Sequence, residues 1–184
     1  MNIKTIDIPQ FRAAHAGGAK DMTLARQFGI SLATVKRHKK EQGLGSNCER
    51  NNRGKLGERL VAEYLTRLGV KVIATKHGAA ADLWVGNIRV EVKVMYSRSK
   101  YAAQVHMPAL RGSNHNQYWY PKDYRQDADI LALAVLAGET LSHLYLLPSA
   151  HWKETITVHP DSPFCPFRPY LHWLGWLPGH SQVA

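Results

Sequence analysis

Asp82, Glu91 and Lys93 lie within a stretch that reads as one β-hairpin, Ala81-Asp82-Leu83-Trp84-Val85-Gly86-Asn87-Ile88-Arg89-Val90-Glu91-Val92-Lys93-Val94. Gly86-Asn87 suits a two-residue hairpin loop, because both residues tolerate the positive φ such turns need. With that loop, Val85 faces Ile88, Trp84 faces Arg89, Leu83 faces Val90 and Asp82 faces Glu91. Directly opposed side chains have Cβ atoms only about 5 Å apart, where like charges repel. A purely structural strand gains from Lys or Thr opposite Glu91, not from a second acid. Two carboxylates held that close suit a divalent cation. Lys93 points to the same face as Glu91, while Val90, Val92 and Val94 point to the other. One face is thus apolar for a core, and the other carries acid, acid and lysine.

Further elements must hold this hairpin in place. A helix from about Lys55 to Leu68 carries a broad apolar stripe of Leu56, Leu60, Val61, Tyr64, Leu65 and Leu68. Glu58 lies at the edge of that stripe, within reach of a cleft between helix and sheet. It also suits the helix dipole at an N-terminus, and the two roles weigh equally. A strand is expected at Val70 to Thr75, and another between Tyr96 and Leu110, around Ala103, Val105 and Met107. The loop after it, with Arg111, Asn114, His115, Asn116, Gln117, Tyr118 and Trp119, mixes polar and aromatic groups beside a cation, as groove and phosphate contacts require. Asp129 to Leu136 reads as a strand covered on both faces. Gly138-Glu139-Thr140 turns the chain, and His143 to Leu147 returns as the last strand. From Trp152 onward prolines are dense, and Phe164, Phe167, Tyr170, Trp173 and Trp176 are too many to leave in water. They are expected to pack on the core or across a dimer.

Asp82 followed by Glu91-Val92-Lys93 on the next strand resembles the signature of the PD-(D/E)XK nuclease superfamily. The resemblance extends from about Gly54 to Pro148, in an order of parts shared with Holliday junction resolvases and some homing endonucleases. Ala81 stands where the family's pattern has proline. The resemblance implies an α/β, mixed-sheet, restriction-endonuclease-like core flanked by helices. It further implies Mg²⁺, or Mn²⁺ in its place, on Asp82, Glu91 and the Val92 carbonyl. Lys93 would then act at the attacking water or the developing charge. Glu58 matches a helix glutamate that often completes such sites, and the products would be 5′-phosphate and 3′-hydroxyl ends.

Residues 1–45 read as a small all-α module. Within Asp21 to Gln42, Leu24, Ala25 and Phe28 give an apolar face, Gly29 breaks the helix, Ile30 packs the corner and Ser31 caps the next helix. Ala25, Gly29 and Val35 fall at helix-turn-helix spacings. The second helix, with Thr34, Lys36, Arg37, His38, Lys39 and Lys40, resembles a recognition helix that enters the major groove. Polar residues 46–54 read as a linker, and 55–184 as the nuclease domain. The charge agrees with a polyanionic partner: +10 overall with pI near 9.8, of which residues 1–55, with eleven Lys or Arg against four Asp or Glu, hold +7. Cys48 and Cys165 are the only cysteines, too few for a zinc site or disulfide framework, and a reducing cytosol fits. No secretory h-region opens the chain, and the longest apolar run, Ile130 to Ala137, is too short to cross a bilayer. The expectation is a soluble, cytoplasmic, homodimeric and site-specific endonuclease acting on double-stranded DNA. A Holliday junction resolvase is the alternative enzyme, and a non-catalytic DNA-binding regulator the alternative of another class.

Overall fold

A computed structural model describes residues 6–76, 79–112 and 118–177. Asn114 to Gln117 of the expected contact loop, and Pro178, lie outside the described residues. The chain divides into two units, Met1–Arg53 and Gly54–Ala184.

The first unit opens with α1 (Ile8–Ala16), a helix not expected from the sequence although its signals are present there. Asp7 caps it, its carboxylate accepting from the Gln10 amide at 3.0 Å, and a proline sits in the first turn. α2 (Asp21–Phe28) ends at Gly29 with φ 60°. Ile30 follows, and Ser31 caps α3 (Leu32–Glu41) by accepting from the Thr34 amide at 3.1 Å. Phe11, Leu24 and Val35 are fully buried together, one from each helix, so α1 supplies a third of the core beneath the expected helix pair.

α4 runs from Glu49 to Arg67, so the expected linker is helical from Glu49 onward. Its polar early residues read as loop by composition. Glu49 to Asn52 are exposed on the helix and Arg53 is half-buried, Arg is a good helix former, and Glu49 suits the positive end of the dipole.

The second unit is built on a seven-stranded mixed sheet. Its strands are β1 (Val72–Ala74), β2 (Leu83–Val85), β3 (Ile88–Ser99), β4 (Ala102–His106), β7 (Ile130–Ala137), β8 (Thr140–Pro148) and β9 (Thr155–Val158). A separate two-stranded ribbon is formed by β5 (Leu110–Gly112) and β6 (Trp119–Pro121), and α5 (Tyr124–Asp127) precedes β7. The long β3 is the hinge of the topology. Its first half lies between antiparallel β2 and parallel β7, and its end pairs with β4, which continues to β9. Asp129, just before β7, accepts from the Arg89 backbone amide at 2.8 Å and from its guanidinium at 2.9 and 3.2 Å, which pins the parallel pair. Three of the four expected hairpin pairs form, Leu83 with Val90, Trp84 with Arg89 and Val85 with Ile88; the fourth, Asp82 opposite Glu91, lies beyond the start of β2 and is not part of the ladder. Gly86 turns it with φ 59°.

Both sheet faces are covered. On one, Val61 and Leu65 of α4 pack with Val90, Val92, Ala132 and Leu144. On the other, Met95, Leu131, Leu133, Tyr145 and Tyr124 form a second core. The face of Glu91 and Lys93, expected to carry only polar groups, is therefore closed over, since the neighbouring β7 is apolar on both sides. The proline-rich tail packs on the cores as expected through Phe167, Tyr170 and Trp176, but Phe164 is 91% exposed. No described helix is long and apolar enough to cross a membrane.

Candidate functional site

The site begins with how near α4 comes to the sheet. Gly57 is buried, and a Cβ placed on it would lie 2.2 Å from Val94 Cγ2. Only glycine allows that approach, and the next residue is Glu58. Glycine is otherwise unfavourable inside a helix, so the close packing is its reason for being there.

β2 leaves β3 just beyond the Leu83–Val90 pair. The Asp82 amide still donates to the Val90 carbonyl at 3.1 Å, but the β2–β3 ladder ends there and, among the described residues, leaves the next stretch of that β3 edge without a partner from β2. The Asp82 side chain fills it, Oδ2 accepting from the Val92 amide at 2.8 Å. The Glu91 side chain is only 4% exposed. Lys93 Nζ donates to Glu91 Oε1 and, at 3.1 Å, to the Val92 carbonyl. One ammonium thus gathers two oxygens that the sequence marks as cation ligands. The donor set is all oxygen and converges on a position already occupied by a positive charge, which suits a hard divalent cation. Among the described residues no group of three or more His, Cys, Asp or Glu side chains could hold a metal ion. A cation here would rest on two carboxylates and a backbone carbonyl.

Electrostatics tie the acids together. Burial, then the Glu91 charge, pushes the Asp82 carboxyl above its usual range, against the pull of Lys93 and of the Val92 hydrogen bond. Burial, then Asp82, likewise raises Glu58. Glu58 and Asp82 line one cleft of about 990 Å³ between α4 and the β1–β2 end of the sheet, with Lys55, Arg59, Thr75 and Lys76 on its walls. That cleft opens onto Glu58 and Asp82 and is bordered by cations, while Glu91 and Lys93 do not line it.

Two members of the cluster were missed from sequence. Lys122 Nζ donates to the Ala80 carbonyl at 2.6 Å and stands 3.0 Å from Asp127 Oδ2 and 3.5 Å from Glu91 Oε2. Tyr124 closes the site from the second core, with Lys93 Nζ 5.8 Å and Lys122 Nζ 5.5 Å from its ring centre. Burial pushes its hydroxyl up to about 12. Nothing local marks Lys122, since it meets Glu91 only through the turn after the ribbon. Asp123, whose carboxylate accepts from the Arg125 and Gln126 amides at 3.0 and 3.3 Å, is a readable cap for α5 and would have placed Tyr124 at a helix start. Arg111 sits half-buried on β5, near enough to Tyr124 for its charge to oppose that upward shift.

In the first unit, Lys36, Arg37 and Lys40 of α3 are exposed and Thr34 is half-buried, its hydroxyl 2.9 Å from that of Ser31. Lys39, expected among the outward cations, is buried and ion-paired with Asp21 at 2.6 Å. Its position turns it toward α2, so its charge is spent inside the unit.

No family model matches this chain, and no curated protein matches it. Among solved structures it is similar to the bacterial homing endonuclease I-Ssp6803I, with a TM-score of 0.54 at 16% identity, over 67% of this chain and 88% of that one. The likeness shows a shared mixed α/β fold.

Proposed function

We propose that the chain is a metal-dependent DNA endonuclease of the PD-(D/E)XK type, site-specific in the homing or restriction manner. The observation that carries this reading is the convergence of Asp82, Glu91, the Val92 carbonyl and Lys93 at the point where β2 parts from β3. The fold shared with a homing endonuclease supports it, as does the +10 charge.

Asp82, Glu91 and the Val92 carbonyl would hold Mg²⁺ or Mn²⁺. Such an ion lowers the pKa of water and stabilises charge on phosphoryl oxygens. The chain's own groups do the rest. The Val92 amide fixes the Asp82 carboxylate. Lys93 Nζ, bonded to Glu91 and Val92 at rest, orients the attacking water and offsets charge at the phosphate. Glu58 faces the same cleft as a helper. Tyr124 excludes solvent from the inner side. α3 would act as the reading helix of a helix-turn-helix, with Thr34, Lys36, Arg37 and Lys40 toward the duplex. Arg111 adds a phosphate contact beside the site. Cutting both strands calls for two such sites, which a homodimer supplies.

Incubating the protein with Mg²⁺ against supercoiled, linear and four-way-junction DNA tests the reading. Discrete cuts in duplex DNA with 5′-phosphate ends are expected. Cleavage confined to the junction would replace it with a resolvase. Binding without any cleavage would make the protein a DNA-binding regulator.

A further inference from the structure

We propose that Lys122 is an internal counter-cation for Glu91, one that holds the site in the absence of metal and gives way to the divalent ion. The inference rests on the metal-site reading above. Glu91 is almost wholly buried, and a buried carboxylate needs a cation. Its two oxygens are divided between two lysines, Lys93 at Oε1 and Lys122 at Oε2. Lys93 lies two residues along the same strand and holds the Val92 carbonyl as well, so it has two site oxygens to release where Lys122 has one.

Lys122 is placed differently. Its side chain is 10% exposed, and Glu91, at 3.5 Å, is the most distant of its three oxygen partners. The Ala80 carbonyl at 2.6 Å and Asp127 at 3.0 Å hold it more closely. An ammonium has three donors, so Lys122 keeps two strong partners if it withdraws from Glu91. Withdrawal strands no charge. The arrangement neutralises an acid cluster that would otherwise repel itself, while opposing any second cation at Glu91. Metal-free stability is thereby gained at the expense of metal affinity. A merely structural lysine would have the reverse signature, because its loss would loosen the acids and weaken metal binding.

Mn²⁺ titration of the full chain without DNA, by calorimetry, separates the two. Lys122→Gln keeps a donor for the Ala80 carbonyl and removes the charge. It should bind Mn²⁺ about tenfold more tightly than wild type, the scale of one nearby charge after screening. Lys122→Arg keeps the charge and should bind like wild type. Unchanged or weaker binding by Lys122→Gln overturns the proposal. Should that variant not fold, reductive methylation of wild-type Lys122, followed by mass spectrometry, serves instead. Mn²⁺ should speed its modification, and an unchanged or slower rate overturns the inference. Absence of Mn²⁺ binding by wild type would instead sink the metal site itself, a failure distinct from that of Lys122.

Discussion

Asp82→Asn removes one charge from the acid cluster while leaving its shape. The Asn side-chain oxygen can still accept from the Val92 amide, now 2.8 Å from Asp82 Oδ2, so the edge of β3 stays closed. What disappears is a half-buried negative charge that its surroundings disfavour, first through desolvation and then through Glu91. Relief of a like-charge repulsion between neighbouring side chains, on the scale of opposed charges in a sheet, amounts to a few tenths to about 1 kcal/mol. For a protein of this size that is a rise in melting temperature of up to about 2–4 °C. Thermal melts in EDTA should therefore place the variant at or above wild type. Mg²⁺ should raise the wild-type melt, since a ligand binding only the folded state stabilises it, and this rise should shrink or vanish in the variant. A clear loss of stability in EDTA, with the Mg²⁺ shift retained, would refute the reasoning. Asp82 would then be a structural residue whose ionised bond to Val92 outweighs the repulsion.

Gly57→Ala should cost about 1–3 kcal/mol from overpacking against Val94, less about 1 kcal/mol of helix propensity. Combining it with Val94→Ala should recover most of the loss in urea melts, and additivity of the two would show that this packing is not the cause. Lys36→Ala, Arg37→Ala or Lys40→Ala should each flatten the plot of log K against log salt by about one unit, as expected of a side chain that neutralises one phosphate. Lys39→Ala should instead lower stability in urea melts, by about 1–3 kcal/mol for a charged hydrogen bond, since its partner is Asp21. A shallower salt slope with unchanged stability for Lys39→Ala would count against its burial. The raised Asp82 carboxyl also gives a pH signature. The folded protein holds that proton more tightly, so the penalty is absent below the usual value near 4 and full above the raised one. The advantage of Asp82→Asn over wild type in EDTA should grow from about pH 4 toward neutrality, and a shrinking gap contradicts the shift.

The hairpin is legible in the sequence because its information is local. Gly86-Asn87 fixes the loop, the loop fixes the register, and alternation puts Glu91 and Lys93 on one face. The strands Ile130–Ala137 and Thr140–Pro148 are readable for a similar reason, as an unbroken apolar run and its return around Gly138. The length of β3 is not, because its far end is defined by pairing with β4 and not by its own residues. Lys122 and Tyr124 escape because long-range folding alone brings them to Glu91. Lys39 misleads because a lysine in a basic run reads as outward, and only the placement of α2 reveals Asp21 as its partner. α1 shows the opposite case, a helix whose cap at Asp7 is present in the sequence but lies in a segment with no strong apolar periodicity to draw the eye.

Cleavage of duplex DNA by Lys93→Ala in Mg²⁺, measured beside wild type with DNA affinity followed in parallel, tests the central claim most directly. The ammonium that bridges Glu91 and the Val92 carbonyl is assigned to the reacting water and not to duplex recognition, so cleavage should be abolished while binding stays nearly intact. Cleavage at the wild-type rate would contradict that assignment.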